Sequence, residues 1–584
     1  MSTNLEHIRH SLAHLLAAAV LELWPDTKHA IGPAIEDGFY FDFEFRHSLA
    51  ESDLPKIEAK MREILPSWKE FTREEVSEEK ARGLYANNPY KLELIDEIVT
   101  KKEPLTLYHS QTKPTENLKL KTKNFFDLCR GGHAEVKDIN PQAFKLTRIA
   151  GAYWRGSEKN PMLTRIYGVA FATKKELDHY FWQQEEAKKR DHRVLGERLK
   201  LFTFAPEVGP GLALWLPNGT TLRDVIETRA KEVERERGYK RVSTPHIAKE
   251  DLFRMSGHIP YYADSMYPPM KLDDGNYYLK AMNCPHTHMI YRAHPHSYRE
   301  LPIRYAEYGT VYRYELSGTL AGLLRVRGFT QNDAHIYCRE DQVEEEFLNV
   351  MKLHEFWYRD VFGIKDFHMR LSLPAKDKTK YADIPEGWRK AEALIRSAMQ
   401  KSGLPFEEAE GEAAFYGPKV DFQIKSAIGR EETASTNQLD FLATQRFNLT
   451  YADSDGKQKP LYVIHRAPLG SHERFIAFLI EHYAGAFPFW LAPVQAALIP
   501  VGEKQNDYAA KVLRALEEKN IRAELYPAEE SLGKRIREGR MQKIPYLLIV
   551  GGKEETNNTV SVRSRDKEEL GEMSVSEFLD ICER

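Results

Sequence analysis

The stretch "VYRYELSGTLAGLLRVRGFTQNDAHIYC", residues 311–338, commits the middle of this chain to sheet. Its spacing predicts two strands joined by a loop. Arg313 and Glu315 are two apart, so on a strand they face the same side. Arg325 and Phe329 enter the second strand. An arginine for phosphate, a carboxylate for an exocyclic amine and an aromatic ring for a base would together hold ATP. Taken one at a time, the same charges fit a solvated hairpin equally well, because exposed charges are the norm.

The rest of the chain sets the frame. With 584 residues it is too long for one core and predicts about two to four domains. Hydrophobic residues at 42% and charged residues at 29% fit a soluble globular protein. No apolar stretch reaches membrane-spanning length, and "MSTNLEHIRH" has no apolar signal core, so a cytoplasmic protein with no membrane partner is expected. Four cysteines make no disulfide framework in a chain this long; they are free thiols, ligands or catalysts. A net charge of −3 advertises no nucleic-acid binding by the whole chain, though local patches still allow it.

Residues 5–23 carry Leu5, Ile8, Leu12, Leu15, Leu16, Ala19 and Leu23 on one helical stripe, with His10 and His14 roughly opposite. That predicts a histidine pair outside the core. "GPAIEDGFYFDFEF" alternates like a hairpin strand. Residues 176–200 are charged with helical spacing and read as one linking helix. "FPFWLAPVQ" marks a boundary near residue 492. Beyond it strands and helices alternate, predicting a small α/β domain with a mostly parallel sheet.

Longer motifs go further. "YRYE…RVRGF" resembles motif 2 of the class II aminoacyl-tRNA synthetases, "APLGSHERF" their motif 3, and "YKRVSTPHI" with Pro245 their dimer-interface motif 1. The string "MNCP…RGFTQNDAHIYC…FYGPKVDF…QLDF…IHRAPLGSHERF" is similar to the threonyl-tRNA synthetase family in particular. The resemblance covers essentially the whole chain. It implies an α+β multidomain protein: an editing domain (1–175), a linker helix (176–200), an antiparallel class II catalytic domain (201–492) and an α/β anticodon-binding domain (493–584). It also implies a homodimeric threonine–tRNA ligase, with L-threonine, ATP and tRNA(Thr) as partners, Mg²⁺ with the ATP, and one Zn²⁺ per subunit.

By that resemblance Arg313 holds the α-phosphate and the amino-acid carboxylate, Glu315 reads the adenine amine and Phe329 stacks on the ring. Arg325 and Arg474 hold the γ-phosphate, Lys419 and Thr436 lie beside the nucleotide, and His258 assists transfer at the tRNA 3′ end. Cys284, His335 and His465 match the family's zinc ligands, while His286, His288 and Cys338 stand close by in sequence as decoys. Met282, Gln331, Asp333, Tyr416 and Gln438 fall on threonine-pocket positions. A site built around a hydroxyl rejects valine strongly, but serine loses only a methyl, which discriminates by about 1–3 kcal/mol. A second, hydrolytic site is therefore expected.

"FFDLCRGGH" places Cys129 and His133 four apart. With His10 and His14 they match the editing signature shared by threonyl- and alanyl-tRNA synthetases, and "GAYWRG" is its other hallmark. Three readings stay open here: surface histidines, a tetrahedral zinc site, and hydrolysis of seryl-tRNA by a positioned water, with Asp127 and Lys91 nearby and no required metal. In the last domain Glu554 and Arg563 match anticodon-contacting positions, and "GKRIREGRMQK" is a basic run able to meet phosphates or to form a solvated helix face.

The chain also departs from the family. It begins almost directly at the H-x-x-x-H helix, without the ubiquitin-like domain of most bacterial members; aminoacylation should be unaffected. Glu432 and Thr433 replace a tryptophan and a glutamine, and His286 replaces a glycine, placing it at the amino-acid entrance. The alternatives are a non-catalytic RNA-binding regulator on a synthetase scaffold and an editing-only deacylase. Retention of the phosphate arginines and zinc ligands argues against both.

Overall fold

Alternation in "GPAIEDGFYFDFEF" has the predicted consequence. In the computed structural model, which describes residues 2–112, 124–375, 381, 384–414, 416–426, 429 and 431–582, this segment folds as a tight hairpin. The strands of the first compact unit, Met1–Glu185, are β1 (Lys28–His29), β2 (Ala34–Ile35), β3 (Gly38–Glu44), β4 (Trp68–Glu75), β5 (Thr106–Thr112), β6 (Asn124–Leu128), β7 (Phe144–Tyr153) and β8 (Met162–Ala170). They form two antiparallel sheets, one of order β1-β3-β8-β7 with β2 on β3, the other β4-β5-β6. Helix α1 (Ser2–Leu23) packs on β3 and against α2 (Leu54–Ile64). Two further helices, α3 (Glu78–Leu84) and α4 (Pro89–Thr100), pack on each other.

The stripe reading of α1 needs correction. From Ile8 to Val20 the helix is buried at every position except His10, and His14 is only 3% exposed. Ala13, Ala17 and Ala18, all off the predicted stripe, are fully buried. Small side chains allow close approach from the histidine side as well, so α1 is a central helix rather than a surface one.

The second unit, Glu186–Arg584, starts within the segment predicted as one linking helix. That segment is two helices, α5 (Lys174–Arg190) and α6 (His192–Arg198). The break is at Asp191, whose side chain caps α6 by accepting from the Arg193 N–H. The unit is built on an eight-stranded sheet of β9 (Lys240–Arg241), β10 (Ile303–Tyr312), β11 (Gly328–Cys338), β12 (Phe367–Leu373), β13 (Phe406–Glu410), β14 (Lys419–Lys425), β15 (Glu431–Asp440) and β16 (Tyr462–Arg466). Their order is β9-β10-β11-β16-β15-β14-β12-β13, antiparallel except at the two edge pairs. Helices α7 (Pro217–Glu236), α8 (Cys284–Arg292), α9 (Val343–Glu355), α10 (Pro385–Ser402) and α11 (His472–His482) accompany it.

One face of this sheet is covered. Ala334, Ile336 and Cys338 of β11 join Leu222, Ile226, Phe347, Met351, Ile395 and Phe475 in a single core. The two-residue period of a strand then leaves Phe329, Gln331, Asp333 and His335 on the opposite face. A buried ion pair ties the sheet to α7: Arg466 lies 3.0 Å from Glu234, with its guanidinium over the Tyr239 ring. Asn332 and Arg241 donate to the same carboxylate.

Arg313 and Glu315 do not lie on a strand. The ladder closes at Tyr312 opposite Gly328, so Arg313, Glu315 and Arg325 all belong to the connecting loop. The turn Ala321–Arg325, with Gly322 at φ +51°, shapes that loop instead of continued pairing.

Chain-terminal strands β17 (Ala496–Pro500), β18 (Ala523–Leu525), β19 (Tyr546–Val550), β20 (Thr559–Ser564) and β21 (Glu568–Ser574) form a sheet of order β18-β17-β19-β20-β21. The expectation of a mostly parallel sheet is half right. β17 pairs in parallel with β18 and β19, but β20 and β21 are antiparallel additions. The parallel pairs are crossed by α12 (Asn506–Glu517) and α13 (Leu532–Met541). Only α14 (Gly552–Asn557) separates β19 from β20, and a short turn joins β20 to β21, connections too short for a parallel crossover. The final helix is α15 (Val575–Cys582). Among the described residues, no helix is long and apolar enough to cross a membrane.

Candidate functional site

The uncovered face of the large sheet opens into a cavity of about 790 Å³. Phe329, Gln331, Asp333 and His335 follow one another along β11 and all line it. At about 3.3 Å per residue, they span roughly 20 Å from one end to the other. Arg313, Glu315, Arg325, Arg474, Thr436, Gln438, Tyr416, Met282, Cys284 and His465 line the same cavity. Fourteen predicted residues from five separate segments thus meet at one place.

One end of the cavity is cationic. Arg313 stands over the Phe329 ring at 5.0 Å, and its Nε donates to the Ala281 carbonyl. Ser471 caps α11 by accepting from the Arg474 N–H, which fixes Arg474 in the first helical turn. Its Nε donates to the Leu324 carbonyl at 3.4 Å. Burial, Arg313 and Arg325 push the Arg474 guanidinium below its ordinary pKa, while Glu432 opposes them. Three arginines so crowded favour an anionic ligand between them. Arg325 donates to Oε2 of Glu315 at 3.0 Å, and among the described residues Oε1 has no hydrogen bond. Thr433, the second departure from the family pattern, also lines the cavity, and its hydroxyl donates to Gln423.

The other end gathers soft and nitrogen donors. Register places His335 directly opposite His465, and His465 opposite Gln438. Cys284 is the first residue of α8. One donor atom from each of Cys284, His335 and His465 lies within 4.8 Å of the others. The Nε2 atom of His335 is buried with no hydrogen-bond partner among the described residues. A thiol and two imidazoles, one with an orphaned nitrogen, fit Zn²⁺ with an open coordination position. Burial holds the metal-free Cys284 thiol well above its usual pKa. Asn283 donates to Asp333 at 3.1 Å, and burial raises the Asp333 carboxyl. Tyr416 donates to Gln438.

Some placements differ from expectation. Lys419 does not line the cavity; it is bound 2.9 Å from buried Asp421, which also takes the Thr436 hydroxyl. In the quoted "FYGPK", Phe415 lies outside the described residues. His258 lines a smaller neighbouring pocket with Cys284, Tyr416 and His465. Its Nδ1 is bonded to Ser256, and burial with Arg313 and Arg446 brings its pKa down to about 4. A neutral ring results, with an Nε2 that has no partner among the described residues. His286 is buried and lines neither space, so it is not at an entrance. His288 is more than a decoy: with Asp440 and His465 it forms a second close donor group. Asp440 lies 3.2 Å from His465 Nε2 and orients that ring. In sequence His288 stands out only as a neighbour of Cys284 and Asp440 not at all, because helix α8 and the paired strands β15 and β16 bring them together only in the fold.

The first unit holds its own cluster. His10, His14, Cys129 and His133 offer donor atoms within 4.8 Å of one another. Cys129 Sγ lies 3.5 Å from His10 Nε2 and 3.4 Å from His133 Nε2. Gly131 and Gly132, both at positive φ, turn the chain so that His133 returns to its thiol. Beneath them buried Asp127 is held by Lys91 at 2.5 Å and His29 at 3.2 Å, with a hydrogen bond from Tyr85. Burial raises the Asp127 carboxyl, but Lys91 and His29 outweigh it and keep it ionised. Asn88 caps α4 and donates to the His29 carbonyl, which seats Lys91. His29 and Tyr85 escaped sequence reasoning; a histidine and a tyrosine in unremarkable segments carry no local signal. Burial lowers His133 to about 3 and raises Cys129 to about 11. Neutral imidazoles and an intact thiol therefore surround the space at neutral pH.

In the last domain, Glu554 caps its own helix by accepting from the Gly551 N–H, and Arg563 is 3.1 Å from Glu569. Arg535 of the basic run is only 4% exposed and donates to the Pro500, Tyr526 and Glu530 carbonyls. It is a structural residue, not a phosphate contact.

Comparison with known proteins follows the geometry. Residues 269–483 match the tRNA synthetase class II core domain (G, H, P, S and T), and residues 495–584 match an anticodon-binding domain. The threonine–tRNA ligase of Rubrobacter xylanophilus is 48% identical over 98% of this chain and 88% of its own length. That of Geobacillus kaustophilus is 49% identical over 100% of this chain and 87% of its own. Threonine–tRNA ligase 1 of Bacillus subtilis is 47% identical over 99% and 88%. Among solved structures, the RNA-binding domain of threonyl-tRNA synthetase from Cryptosporidium parvum has a TM-score of 0.64 at 35% identity, covering 67% of this chain and 98% of that one. A putative threonyl-tRNA synthetase from Aeropyrum pernix has a TM-score of 0.60 at 29% identity, covering 68% and 94%.

The thiol environment makes a prediction. With a pKa of about 11, Cys129 should alkylate with iodoacetamide about a hundredfold more slowly at pH 8 than an unburied cysteine. Its rate should rise about tenfold per pH unit from pH 7 to 9.5 without levelling. Mass spectrometry of the Cys129 peptide, with chelator present, measures this. A rate that levels off near pH 8.5 would contradict it.

Proposed function

The chain belongs to the threonine–tRNA ligases, a class II aminoacyl-tRNA synthetase family, and we propose that its large cavity joins L-threonine to AMP and passes it to tRNA(Thr). The observation that carries this reading is the row Phe329, Gln331, Asp333, His335 on one sheet face, which runs from the arginine end to the metal-donor end. A nucleotide and an amino acid laid along it would meet in the middle. A threonine carboxylate oxygen attacks the α-phosphorus, the bond to the β-phosphate oxygen breaks, and pyrophosphate leaves. The terminal ribose hydroxyl of the tRNA then attacks the threonyl carbonyl, and AMP leaves.

Chain residues serve these steps mainly by position and charge. Arg313 holds the α-phosphate and carboxylate together, Arg325 and Arg474 take the γ-phosphate, and Mg²⁺ accompanies the ATP. Phe329 stacks on the adenine and Glu315 accepts from its amine. Thr436 borders the nucleotide, and Lys419 acts from one layer behind through Asp421. His258, neutral with Nε2 unpartnered, suits acceptance of the ribose hydroxyl proton. Cys284, His335 and His465 would hold one Zn²⁺. When bound, that ion supplies a Lewis-acidic position for the amino and hydroxyl groups of threonine. Asp333 pairs with those groups, while Gln331, Met282, Tyr416 and Gln438 enclose the side chain.

Amino-acid-dependent ATP–pyrophosphate exchange tests this reading. Threonine should support strong exchange, serine weaker exchange by about 10–200-fold for its missing methyl, and valine none. Asp333→Asn should reduce the threonine rate by at least about a hundredfold. Valine accepted as well as threonine, or no exchange from folded, zinc-loaded protein, would overturn it.

Weak rejection of serine calls for the second cluster, in residues 1–175, as a site that hydrolyses seryl-tRNA(Thr). The protonated Cys129 thiol disfavours a thiol nucleophile. His10, His14 and His133 orient water, with Asp127 and Lys91 supplying fixed charge below. Cys129→Ser should keep seryl-tRNA hydrolysis within about tenfold, whereas His10→Ala should lose about 10²–10³-fold. A covalent seryl–Cys129 adduct, or complete loss in Cys129→Ser alone, would contradict water positioning. The domain at 493–584 would read the anticodon through Glu554 and Arg563. The segment at Pro245 would form the dimer interface, residues 176–200 would link editing to the catalytic block at 201–492, and the enzyme would work in the cytoplasm.

A further inference from the structure

The segment "RDHRVLG", residues 190–196, has no role in the reaction described so far. His192, the first residue of α6, is only 3% exposed, and both ring nitrogens are engaged. Nδ1 lies 2.7 Å from Oε1 of Glu481, near the C-terminal end of α11. Nε2 lies 3.1 Å from the backbone nitrogen of Leu323, in the loop that carries Glu315 and Arg325. A backbone N–H only donates, so Nε2 must be the acceptor. The ring proton therefore sits on Nδ1 and is donated to Glu481.

Two further observations show how closely this loop is held. Gly322, at φ +51°, has no room for a side chain: a Cβ there would stand 2.2 Å from His192 Nε2 and 2.8 Å from Arg193 Cγ. From the cavity side, Arg474 donates to the Leu324 carbonyl. The consecutive residues Leu323 and Leu324 are thus held by His192 and by Arg474, and Arg325 follows at once. The far end of α11 is tied to the same place, since the Arg190 guanidinium donates to the Glu481 and His482 carbonyls. One imidazole links the helix that carries Arg474 in its first turn to the turn that ends at Arg325.

We propose that His192 is a positioning residue for ATP binding. By accepting from the Leu323 N–H it holds the turn in place so that Arg325 and Arg474 face the same phosphate. The role rests on the ligase reading and concerns the nucleotide end of the cavity, not threonine. It also explains why the charged linking segment contains a buried histidine.

The test measures threonine-dependent pyrophosphate exchange against ATP and against threonine in the full chain, zinc-loaded, as wild type, His192→Asn and His192→Gln. Asparagine can replace the Nδ1 donor to Glu481 but does not reach Leu323. The glutamine amide oxygen reaches the Nε2 position and can accept. The expected result for His192→Asn is an ATP KM raised about tenfold, the value of one lost buried hydrogen bond, with the threonine KM within about twofold. His192→Gln should return the ATP KM to within about threefold of wild type. An unchanged ATP KM in His192→Asn, equal effects of the two variants, or parallel shifts in both KM values would overturn the proposal. If neither variant folds, hydrogen exchange at the Leu323 amide of the wild type decides: strong protection supports the contact, and exchange at free-peptide rates refutes it. Absence of exchange activity in the wild type would overturn the ligase reading itself, and this role with it.

Discussion

The pairing of β11 with β16, and of β16 with β15, is the constraint on which the rest depends. His335 lies opposite His465, and His465 opposite Gln438. Because side chains alternate across a strand, a slip of one residue would send Phe329, Gln331, Asp333 and His335 into the core and bring Ala334 and Ile336 out. The covered face opposes such a slip. Ala334, Ile336 and Cys338 are buried in one core with residues of four helices, and Arg466, next to His465, is locked to Glu234. Removing one partner of a fully buried ion pair costs about 3–5 kcal/mol. The register that makes the core is the register that makes the cavity.

Two groups of cysteine and histidine then acquire different characters from their surroundings. Cys284, His335 and His465 stand at the end of a wide cavity beside Asp333, where a substrate can reach them. Cys129 and its three histidines stand over an ionised carboxylate already satisfied by a lysine and a histidine. Their neutral rings and protonated thiol suit the handling of water. In the proposed function, selection at the first group would fall short by about one methyl group's worth of free energy, the deficit a second, hydrolytic site would answer.

Much of this was legible in the chain, and the limits have physical causes. The hairpin at Ala34–Glu44 and the strands of the last domain follow from short-range alternation. The cationic loop is legible as chemistry but misplaced as structure: Arg313 and Glu315 lie past the last ladder pair, Tyr312 opposite Gly328, in a loop that turns at Gly322. Periodicity places His14 outside the core because it describes one helix face, whereas alanines on the other face let neighbours close in and His14 is buried. Cys284, His335 and His465 share no local spacing and meet only through strand pairing, so resemblance alone could nominate them. His29, His192 and Asp440 act through contacts between distant segments and leave no local pattern, and His288 shows in the sequence only as a neighbour of Cys284.

The most direct test of the register argument is the zinc content of the desalted full-length protein, compared with that of His335→Asn and His133→Asn. One zinc per chain is predicted in the wild type and in His133→Asn, and none in His335→Asn. Zinc retained in His335→Asn but lost from His133→Asn would contradict the assignment, moving the metal to the first unit and leaving the strand pairing without its central role.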